Sequence, residues 1–349
     1  MKQFLTLAEL PREEIVDLLG LAARLEELGD PQALAGKILG LLFFNPSLRT
    51  LASMQAAMAK LGGTSFVVAP GSSSWKLETR TGVVMDGEAS EHVREAIPVL
   101  AGYADVLGVR AFASGTDLAA DLADANFRDL AALSPKPLVN LESAIDHPCQ
   151  ALADWKTLDD LGVGRHAKLV LSWANHPKAL PLAVPAAVLR MAALRGMAVT
   201  VLSPEAYALP APLVAEARRL AAVNGGSVVE TDDRAAALAG MAIVYAKSWA
   251  SAAHYGDAAK ESELRAGLAS WCVAESWFDG AREARFMHCL PVRRNVVVAD
   301  AVLDSPRSVV VQQAHNRLWV QMAVLHRMLA GAGSPRVRLD GGSKTKEKR

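Results

Sequence analysis

Apolar residues recur along the chain in two alternating patterns, as short continuous runs and as longer segments at helical spacing. The run KILGLLFF at residues 37–44 predicts a buried strand, and helical spacing follows it from about residue 47 to 61. Buried strands that alternate with helices are typical of a parallel sheet covered on both faces. The other segments of this half that fit the alternation are strands at 64–70, 105–109 and 137–141 and helices at 11–28, 90–103 and 117–133.

The alternation begins again after residue 150, with a helix at 150–161 and the strand KLVLSWA at 168–174. We therefore predict an α/β protein of two doubly wound parallel-sheet domains, joined by interdomain helices and hinged near residues 145–155. The remaining predicted elements are strands at 197–203, 227–231, 241–247 and 270–276, a short strand before residue 288, and helices at 179–195, 210–223 and 233–240.

The predicted domain boundaries follow from these patterns. The first domain comprises residues 1–150 and the second comprises residues 151–312. A long amphipathic helix at 313–330 is expected to pack back on the first domain. Residues 331–349 are rich in Gly, Ser and charge, so this tail is predicted to be disordered.

Composition narrows the classes of partner. The chain has 349 residues, 51% of them hydrophobic, and its 37 basic and 37 acidic side chains give a formal net charge of zero. Such a chain lacks the long-range basic field that draws proteins onto nucleic acid or anionic membranes, so neither is expected as a partner. A small anionic ligand must instead be bound by a local cluster of donors.

The three cysteines, Cys149, Cys272 and Cys289, form no C-x-x-C pair, and their number and scatter are typical of a reducing compartment. The first residues lack the apolar region of a secretory signal. No run reaches the roughly 18 apolar residues that span a bilayer. These features together predict a cytoplasmic location.

The segment Ser47-Leu48-Arg49-Thr50 lies where a strand is predicted to end and a helix to begin. Free backbone N–H groups and the positive end of the helix dipole suit a phosphate at such a place. The two hydroxyls add donors, and the arginine adds a charged fork. Ser and Thr are also ordinary capping residues, so a simple N-cap is the alternative interpretation.

Two further segments, HPCQ at 147–150 and HCLP at 288–291, also lie at predicted ends of strands or starts of helices. The histidine and the amide of the first can both donate to a substrate carbonyl oxygen. Cys289, in the second, is either a reactive thiol or a small core residue. A zinc site built from both segments is an alternative, although neither has finger-like spacing. Together the three segments predict a ligand site at the carboxyl edge of the sheets.

Three motifs identify the sequence as resembling the aspartate and ornithine carbamoyltransferase family. FFNPSLRT at 43–50, HPCQALAD at 147–154 and HCLPVRRN at 288–295 have the order and spacing of that family, and the resemblance extends from about residue 3 to 330. Further segments are similar to the subgroup that acts on N-acylated ornithine, namely WKLET at 75–79, GVRAFA at 108–113, SWANHP at 172–177 and YAKSWA at 245–250.

The resemblance implies that carbamoyl phosphate binds the first domain, that an N-acylated ornithine binds the second, and that neither a cofactor nor a metal is required. It implies catalytic roles for His147, Arg49 and Cys289. The residues that it implies for carbamoyl phosphate are Ser47, Leu48, Arg49, Thr50, Trp75, Arg110, His147, Pro148, Cys149, Gln150, Cys289, Leu290 and Arg317. Those that it implies for the acylated ornithine are Glu142, His176, Lys247, Leu290, Arg293 and Ser90.

The resemblance also implies a homotrimer, in which Trp75 reaches into the site of a neighbouring subunit. Plainer interpretations stay open for several of these residues. Trp75 can be a surface anchor, Arg110 and Arg317 can form ordinary ion pairs, and Glu142 can be a cap.

Three positions bear on the identity of the acceptor. Ornithine carbamoyltransferases carry an Asp and a Ser-Met-Gly loop near the place where this chain has Lys247, and a lysine suits an acylated, uncharged α-nitrogen. Acetyl-type enzymes carry a Glu where this chain has Ser90 and a Lys where it has Val297. Because a Glu would repel a succinyl carboxylate, N-succinylornithine is favoured over N-acetylornithine, and both are favoured over ornithine.

One position departs from the family pattern, which continues S-x-R-T-R where this chain has Leu51. If the missing arginine contacts phosphate, donor affinity is lower, and this position favours a non-catalytic paralogue as an alternative of a different class. The intact His147, Gln150, Cys289 and Arg317 favour an enzyme. A nucleotide-binding dehydrogenase is excluded because no G-x-G-x-x-G follows the first strands.

Overall fold

The computed structural model describes residues 1–330, so the predicted disordered tail at 331–349 lies outside the described residues. Two five-stranded sheets, each with parallel neighbouring strands, form the centres of two α/β halves. The predicted fold class, two doubly wound parallel-sheet domains joined by helices, is confirmed. None of the described helices combines the length and apolar character needed to cross a membrane.

The first sheet has the strand order β1-β7-β6-β2-β3. Its interior strand β2 carries the run ILGLLF and is buried along nearly its whole length, as expected where helices cover both faces. The strands of this sheet are β1 Gln3–Phe4, β2 Ile38–Phe43, β3 Thr64–Val68, β6 Val106–Arg110 and β7 Leu138–Glu142. The helices of this half are α1 Arg12–Leu28, α2 Leu48–Lys60, α3 Val93–Gly102, α4 Leu118–Leu122 and α5 Ala125–Ala132.

Two short strands, β4 Lys76–Glu78 and β5 Ala89–His92, pair with each other outside both main sheets. We call residues 69–92, which contain them, the flap. The flap carries Trp75 and Ser90, both of which are solvent-exposed.

The second sheet has the strand order β10-β9-β8-β11-β12. Its strands are β8 Lys168–Trp173, β9 Ala198–Leu202, β10 Ser227–Thr231, β11 Ile243–Lys247 and β12 Arg285–Met287. The helices of this half are α7 Ala183–Arg195, α8 Ala211–Asn224, α9 Arg234–Leu238, α10 Ala258–Ala266 and α11 Asp300–Leu303.

Two helices connect the halves. Helix α6, Pro148–Asp160, follows the first sheet and is buried on all sides over its first eleven residues, which shows that it runs between the two halves. Helix α12, Val310–Leu329, follows the second sheet and packs against α6 and against α1 and α2 of the first half. The last helix therefore returns to the half in which the chain began.

Two element predictions are wrong. The predicted strand at 270–276 forms 3-10 turns at Ala269–Trp271 and Glu275–Phe278. Its tryptophans are buried around the guanidinium of Arg234 and do not alternate along a sheet edge. The single helix predicted at 117–133 is divided into α4 and α5, because Asp124 adopts a left-handed φ of 54° and bonds to residues 143 and 144.

Glycine at position 40 of β2 is required by close packing, so we predict that Gly40→Ala lowers the free energy of unfolding by about 1–3 kcal/mol. An added Cβ would lie 2.7 Å from Leu107 Cδ2, 2.8 Å from Phe66 Cζ and 3.3 Å from Ala104 Cβ. Gly20→Ala is the matched control, since Gly20 is exposed on helix α1 and no atom lies within 4 Å of its added Cβ. The control should stabilise by roughly 0.5–1 kcal/mol in urea unfolding curves. Equal curves for both variants would contradict the packing argument.

Candidate active site

The predicted site residues lie where strands of both sheets end. Arg110 and Glu142 are the last residues of β6 and β7, and Lys247 is the last residue of β11. The segments 47–50 and 288–291 follow β2 and β12 directly. Parallel strands bring their carboxyl ends to one edge, so residues that are distant in sequence meet in the cleft between the halves.

The segment 47–50 forms the N-terminus of α2. Ser47 is the N-cap, and its hydroxyl accepts a hydrogen bond from the Thr50 N–H at 3.3 Å. The capping interpretation therefore holds for Ser47, while the other N–H groups of the first turn remain available to a ligand. Leu48 points to solvent and is 80% exposed. Leu51, the departure from the family pattern, packs against the hydrophobic core.

Three guanidinium groups converge on this helix N-terminus. Arg49 is half-buried, whereas Arg110 and Arg317 are buried. Arg317, on α12, donates to Thr50 Oγ1 at 2.8 Å and so joins the last helix to α2. In all three, Nε is buried without a hydrogen-bond partner within residues 1–330. Burial lowers the pKa of Arg49 and of Arg317, which marks the cost of holding these charges together.

One carboxylate lies among these cations. Glu142 accepts a hydrogen bond from Arg110 Nη1, and Arg110 also lies 3.5 Å from the Leu141 carbonyl oxygen. The same carboxylate oxygen lies 3.6 Å from His147 Nε2. Glu142 has a φ of 153°, a region that non-glycine residues rarely adopt, and such backbone strain is concentrated at functional sites.

His147 is the N-cap of α6 and is only 3% exposed. Burial, followed by the positive charges of Arg317, Arg110 and Lys247, holds its pKa well below the usual range. The imidazole is therefore neutral at physiological pH and keeps one N–H donor. Its Nδ1 is buried and has no partner in the described part of the chain.

The first turn of α6 continues with Pro148, Cys149 and Gln150, all buried. Burial raises the pKa of Cys149 to about 12, so it is a neutral core thiol. The Gln150 amide does not present to the cleft the N–H donor that the sequence predicted. Its Nε2 donates to Asp154 at 2.7 Å, which leaves the buried Oε1, an acceptor, without a partner within residues 1–330.

The segment 288–291 closes the opposite side of the cleft. The His288 ring accepts from the Leu290 N–H at 2.8 Å, and Leu290 has a left-handed φ of 56°. Cys289 is 8% exposed, and burial raises the pKa of its thiol even though Lys247 and Arg49 oppose the shift. A protonated thiol is a poor nucleophile, which favours a lining role for Cys289 over a covalent one.

Basic groups of the second half face the same cleft. Burial lowers the pKa of His147 and of His288, and the positive charge of Lys247 adds to both shifts, so Lys247 lies near both rings. Arg293 Nε donates to His176 Nε2 at 3.1 Å, which joins two of the predicted acceptor residues. The neighbouring Arg294 is bound by Asp300 and Asp304 at 2.7–2.8 Å and is therefore committed to a surface ion pair.

Two predicted residues are not brought to this cluster. Trp75 is 59% exposed, and its indole N–H donates to Glu91 at 2.9 Å within the flap. Ser90 is exposed on β5 of the same flap. In the described part of the chain, neither side chain has a hydrogen bond to the cleft. Val297, by contrast, is a buried core residue.

Sequence reasoning missed the polar residues that support the site. Asp154 and Gln313 are both fully buried, and they connect α6, α12 and the segment 288–291. Asp154 was within reach of prediction, because it follows Gln150 by four residues and so lies on the same face of a helix. Nothing in the local sequence pattern distinguishes Gln313 from an ordinary polar residue of α12.

Two family models match this chain. The carbamoyl-P binding domain of aspartate/ornithine carbamoyltransferase matches residues 2–160, and the Asp/Orn binding domain matches residues 184–328. N-acetylornithine carbamoyltransferase of Xanthomonas axonopodis pv. citri is 38% identical over 95% of this chain and 98% of its own length. N-succinylornithine carbamoyltransferase of Bacteroides thetaiotaomicron is 37% identical over 84% of this chain and 88% of its own length.

The fold also matches solved structures. One is an N-acetyl-L-ornithine transcarbamylase in which a glutamate is replaced by serine, complexed with carbamyl phosphate and N-succinyl-L-norvaline. It superimposes with a TM-score of 0.90 at 38% identity and covers 94% of this chain and 100% of that chain. With motifs, fold and relatives in agreement, this chain belongs to the aspartate/ornithine carbamoyltransferase family, in the N-acylornithine subgroup, and is a carbamoyltransferase.

Proposed function

We propose that this enzyme transfers the carbamoyl group of carbamoyl phosphate to the side-chain amine of N-succinyl-L-ornithine, giving N-succinyl-L-citrulline and phosphate, in arginine biosynthesis in the cytoplasm. The observation that carries this proposal is the convergence of three guanidinium groups and a neutral, buried histidine on the N-terminus of α2. The identity of the acceptor is inferred from the basic residues of the second half and from the residues of the flap.

The phosphate of the donor is proposed to bind at the start of α2. The free N–H groups of residues 48 and 49, the helix dipole and Arg49, Arg110 and Arg317 all favour a dianion there. A bound phosphate would supply partners to the guanidinium groups whose Nε atoms are buried and unpaired in the described chain. Leu51 packs in the core, so its replacement of an arginine leaves these donors intact.

The carbamoyl carbon is then proposed to lie beside His147, Cys289 and Leu290. The acceptor amine, which attacks as neutral –NH2 after its ammonium form has lost one proton to solvent, forms a C–N bond to this carbon, and negative charge develops on the carbonyl oxygen. The N–H of neutral His147 and the Arg49 guanidinium are proposed to stabilise that oxygen. Collapse of the intermediate breaks the C–O bond to phosphate, and the departing phosphate accepts the amine proton. Much of the rate would come from holding the two substrates together.

The acceptor side supports an acylated α-nitrogen. Lys247 and Arg293 are cations, and an α-ammonium group placed beside them would be repelled. An acylated ornithine offers a carboxylate and a carbonyl oxygen instead. Arg293, oriented by His176 at 3.1 Å, is proposed to bind a carboxylate of the acceptor, and Glu142 and Leu290 are proposed to line its approach to the donor.

Two positions, Ser90 and Val297, support succinyl as the acyl group of the acceptor. Ser90, where acetyl-type enzymes carry a glutamate, offers no negative charge against a succinyl carboxylate, and buried Val297 takes the place of their lysine. The solved structure with serine in place of a glutamate holds N-succinyl-L-norvaline, which supports a serine beside a succinyl group. N-acetyl-L-ornithine is the second candidate, because relatives named for that substrate are as similar as those named for the succinyl compound.

We further propose a homotrimer. The flap holds Trp75 away from the cleft of its own chain, and an indole that is 59% exposed is an unusual surface residue for a monomer. In a cyclic trimer the flap of each subunit would enter the neighbouring site, where Trp75 would contact the donor and Ser90 the acyl group.

The acceptor is tested by measuring ureido product with carbamoyl phosphate and N-succinyl-L-ornithine, N-acetyl-L-ornithine or L-ornithine. We expect the largest kcat/KM with the succinyl compound, because no carboxylate opposes it at Ser90. Arg317→Ala is the inactive control, since it removes one phosphate donor and the partner of Thr50. A preference for the acetyl compound would overturn the acyl assignment. No product from any acceptor would favour the non-catalytic paralogue.

Ser90→Glu should shift acyl preference toward N-acetyl-L-ornithine, changing the ratio of the two kcat/KM values by roughly tenfold or more through like-charge repulsion. Ser90→Gln is the matched control, because it adds the same bulk without the charge. The proposal predicts a large change in the ratio for the first variant and a small one for the second. Equal changes would mean that size, not charge, decides the preference.

Trp75→Ala should abolish most activity without changing the unfolding curve, because an exposed side chain contributes little to stability. Mixing it with Arg317→Ala tests whether the site is shared. In random hybrid trimers about one quarter of sites would combine both native residues, so activity should return on mixing. Tyr103→Ala, at a similarly exposed aromatic that caps the end of α3, is the control. Failure of the mixture to regain activity would contradict the shared site.

A further inference from the structure

A buried carboxylate lies directly behind the proposed carbamoyl site. Asp154 is fully buried on α6, one helical turn after Gln150. Its Oδ1 accepts two hydrogen bonds of 2.7 Å, one from Gln150 Nε2 and one from Gln313 Nε2. Gln313 in turn accepts from the His288 backbone N–H through its Oε1 at 3.0 Å. Asp154 therefore connects both walls of the proposed carbamoyl pocket.

The orientation of both amides follows from this arrangement. A carboxylate oxygen that accepts two bonds must face two N–H groups, so each glutamine presents its nitrogen to Asp154. Gln313 is fixed twice, because its oxygen is also needed by the His288 N–H. Burial raises the pKa of Asp154 to about 7, but a proton on Oδ2, which has no partner within residues 1–330, would leave both bonds to Oδ1 in place.

This orientation determines which atom of the Gln150 side-chain amide is left for a ligand. With its nitrogen bound to Asp154, the amide can offer only Oε1, which is buried and has no partner in the described chain. A carbamoyl group carries –NH2, which has two N–H donors, whereas an acetyl group carries –CH3 and has none. A buried acceptor left without a donor is costly, so this oxygen can distinguish the two groups.

We propose that Asp154 is a positioning residue that turns the Gln150 amide so that its oxygen selects the –NH2 of the carbamoyl donor, and that holds segment 288–291 in register through Gln313. The inference deepens the proposed function and rests on its assignment of the donor site. It adds the residue that selects a carbamoyl over another acyl phosphate of the same size and charge.

Acetyl phosphate, which has a methyl group where carbamoyl phosphate has its amine, is the probe. Calorimetric titration of the full-length enzyme gives a Kd for each compound. The readout is the Kd for acetyl phosphate divided by the Kd for carbamoyl phosphate. In Asp154→Leu we expect that ratio to fall at least tenfold, because the freed Gln150 amide can rotate away. A purely structural role would weaken both compounds together and leave the ratio unchanged. An unchanged ratio in this folded variant overturns the inference.

Asp154→Asn is the conservative variant, because it keeps one carbonyl oxygen for both glutamines and should keep the wild-type ratio. If Asp154→Leu does not fold, Asp154→Ala removes the same oxygen without added bulk and carries the same expectation. Gln150→Met, which lacks the amide, sets the value expected for lost selection. A ratio that collapses in the asparagine variant but not in the alanine variant would also overturn the inference.

Turnover measured alongside separates this inference from the proposed function. An enzyme that binds carbamoyl phosphate selectively but forms no ureido product would refute the proposed reaction and leave the role of Asp154 standing. An active enzyme whose Asp154 variants keep the wild-type ratio would refute the role of Asp154 alone.

Discussion

Positive charge held out of water is the constraint on which this active site depends. Arg110 and Arg317 are buried, Arg49 is half-buried, and the N-terminus of α2 adds its dipole. One carboxylate, Glu142, compensates part of this charge through Arg110. Buried charge is costly unless it is paired, so the site is arranged for a dianionic ligand. Burial and, after it, the same field lower the pKa of His147, so the ring stays neutral and is suited to donate a hydrogen bond.

This concentration of charge is maintained by the last helix. Along one face of α12, Gln313 contacts Asp154 and the His288 N–H, Asn316 donates to Thr157 at 2.9 Å, and Arg317 donates to Thr50. A helix from the end of the chain thus fixes α6, α2 and segment 288–291 relative to one another. Loss of its packing would separate the cations from the helix N-terminus that they share.

The sequence predicted most of the buried strands and the ligand edge, because continuous apolar runs bounded by turn residues leave few alternatives. It failed at residues 270–276, where apolar side chains fill a space around a cation instead of alternating along a strand. The segments 47–50, 147–150 and 288–291 were recognisable as motifs, and the structure brings them to one cleft. The orientation of the Gln313 amide was not predictable, because it depends on long-range bonds to Asp154 and to the His288 N–H.

The two substrates are proposed to meet parts of the molecule that differ in burial. Most donor contacts are proposed to come from buried or half-buried elements whose side chains hold one another in place, with exposed Leu48 and Trp75 as the exceptions, and a change in the buried part would disturb the core. Acceptor contacts come from half-buried Lys247, from exposed Arg293 and from the exposed flap. Acyl preference can therefore change at one or two exposed positions while the rest of the chain stays the same. Relatives named for the two acyl substrates are 38% and 37% identical to this chain, so overall identity does not distinguish between the two acceptors.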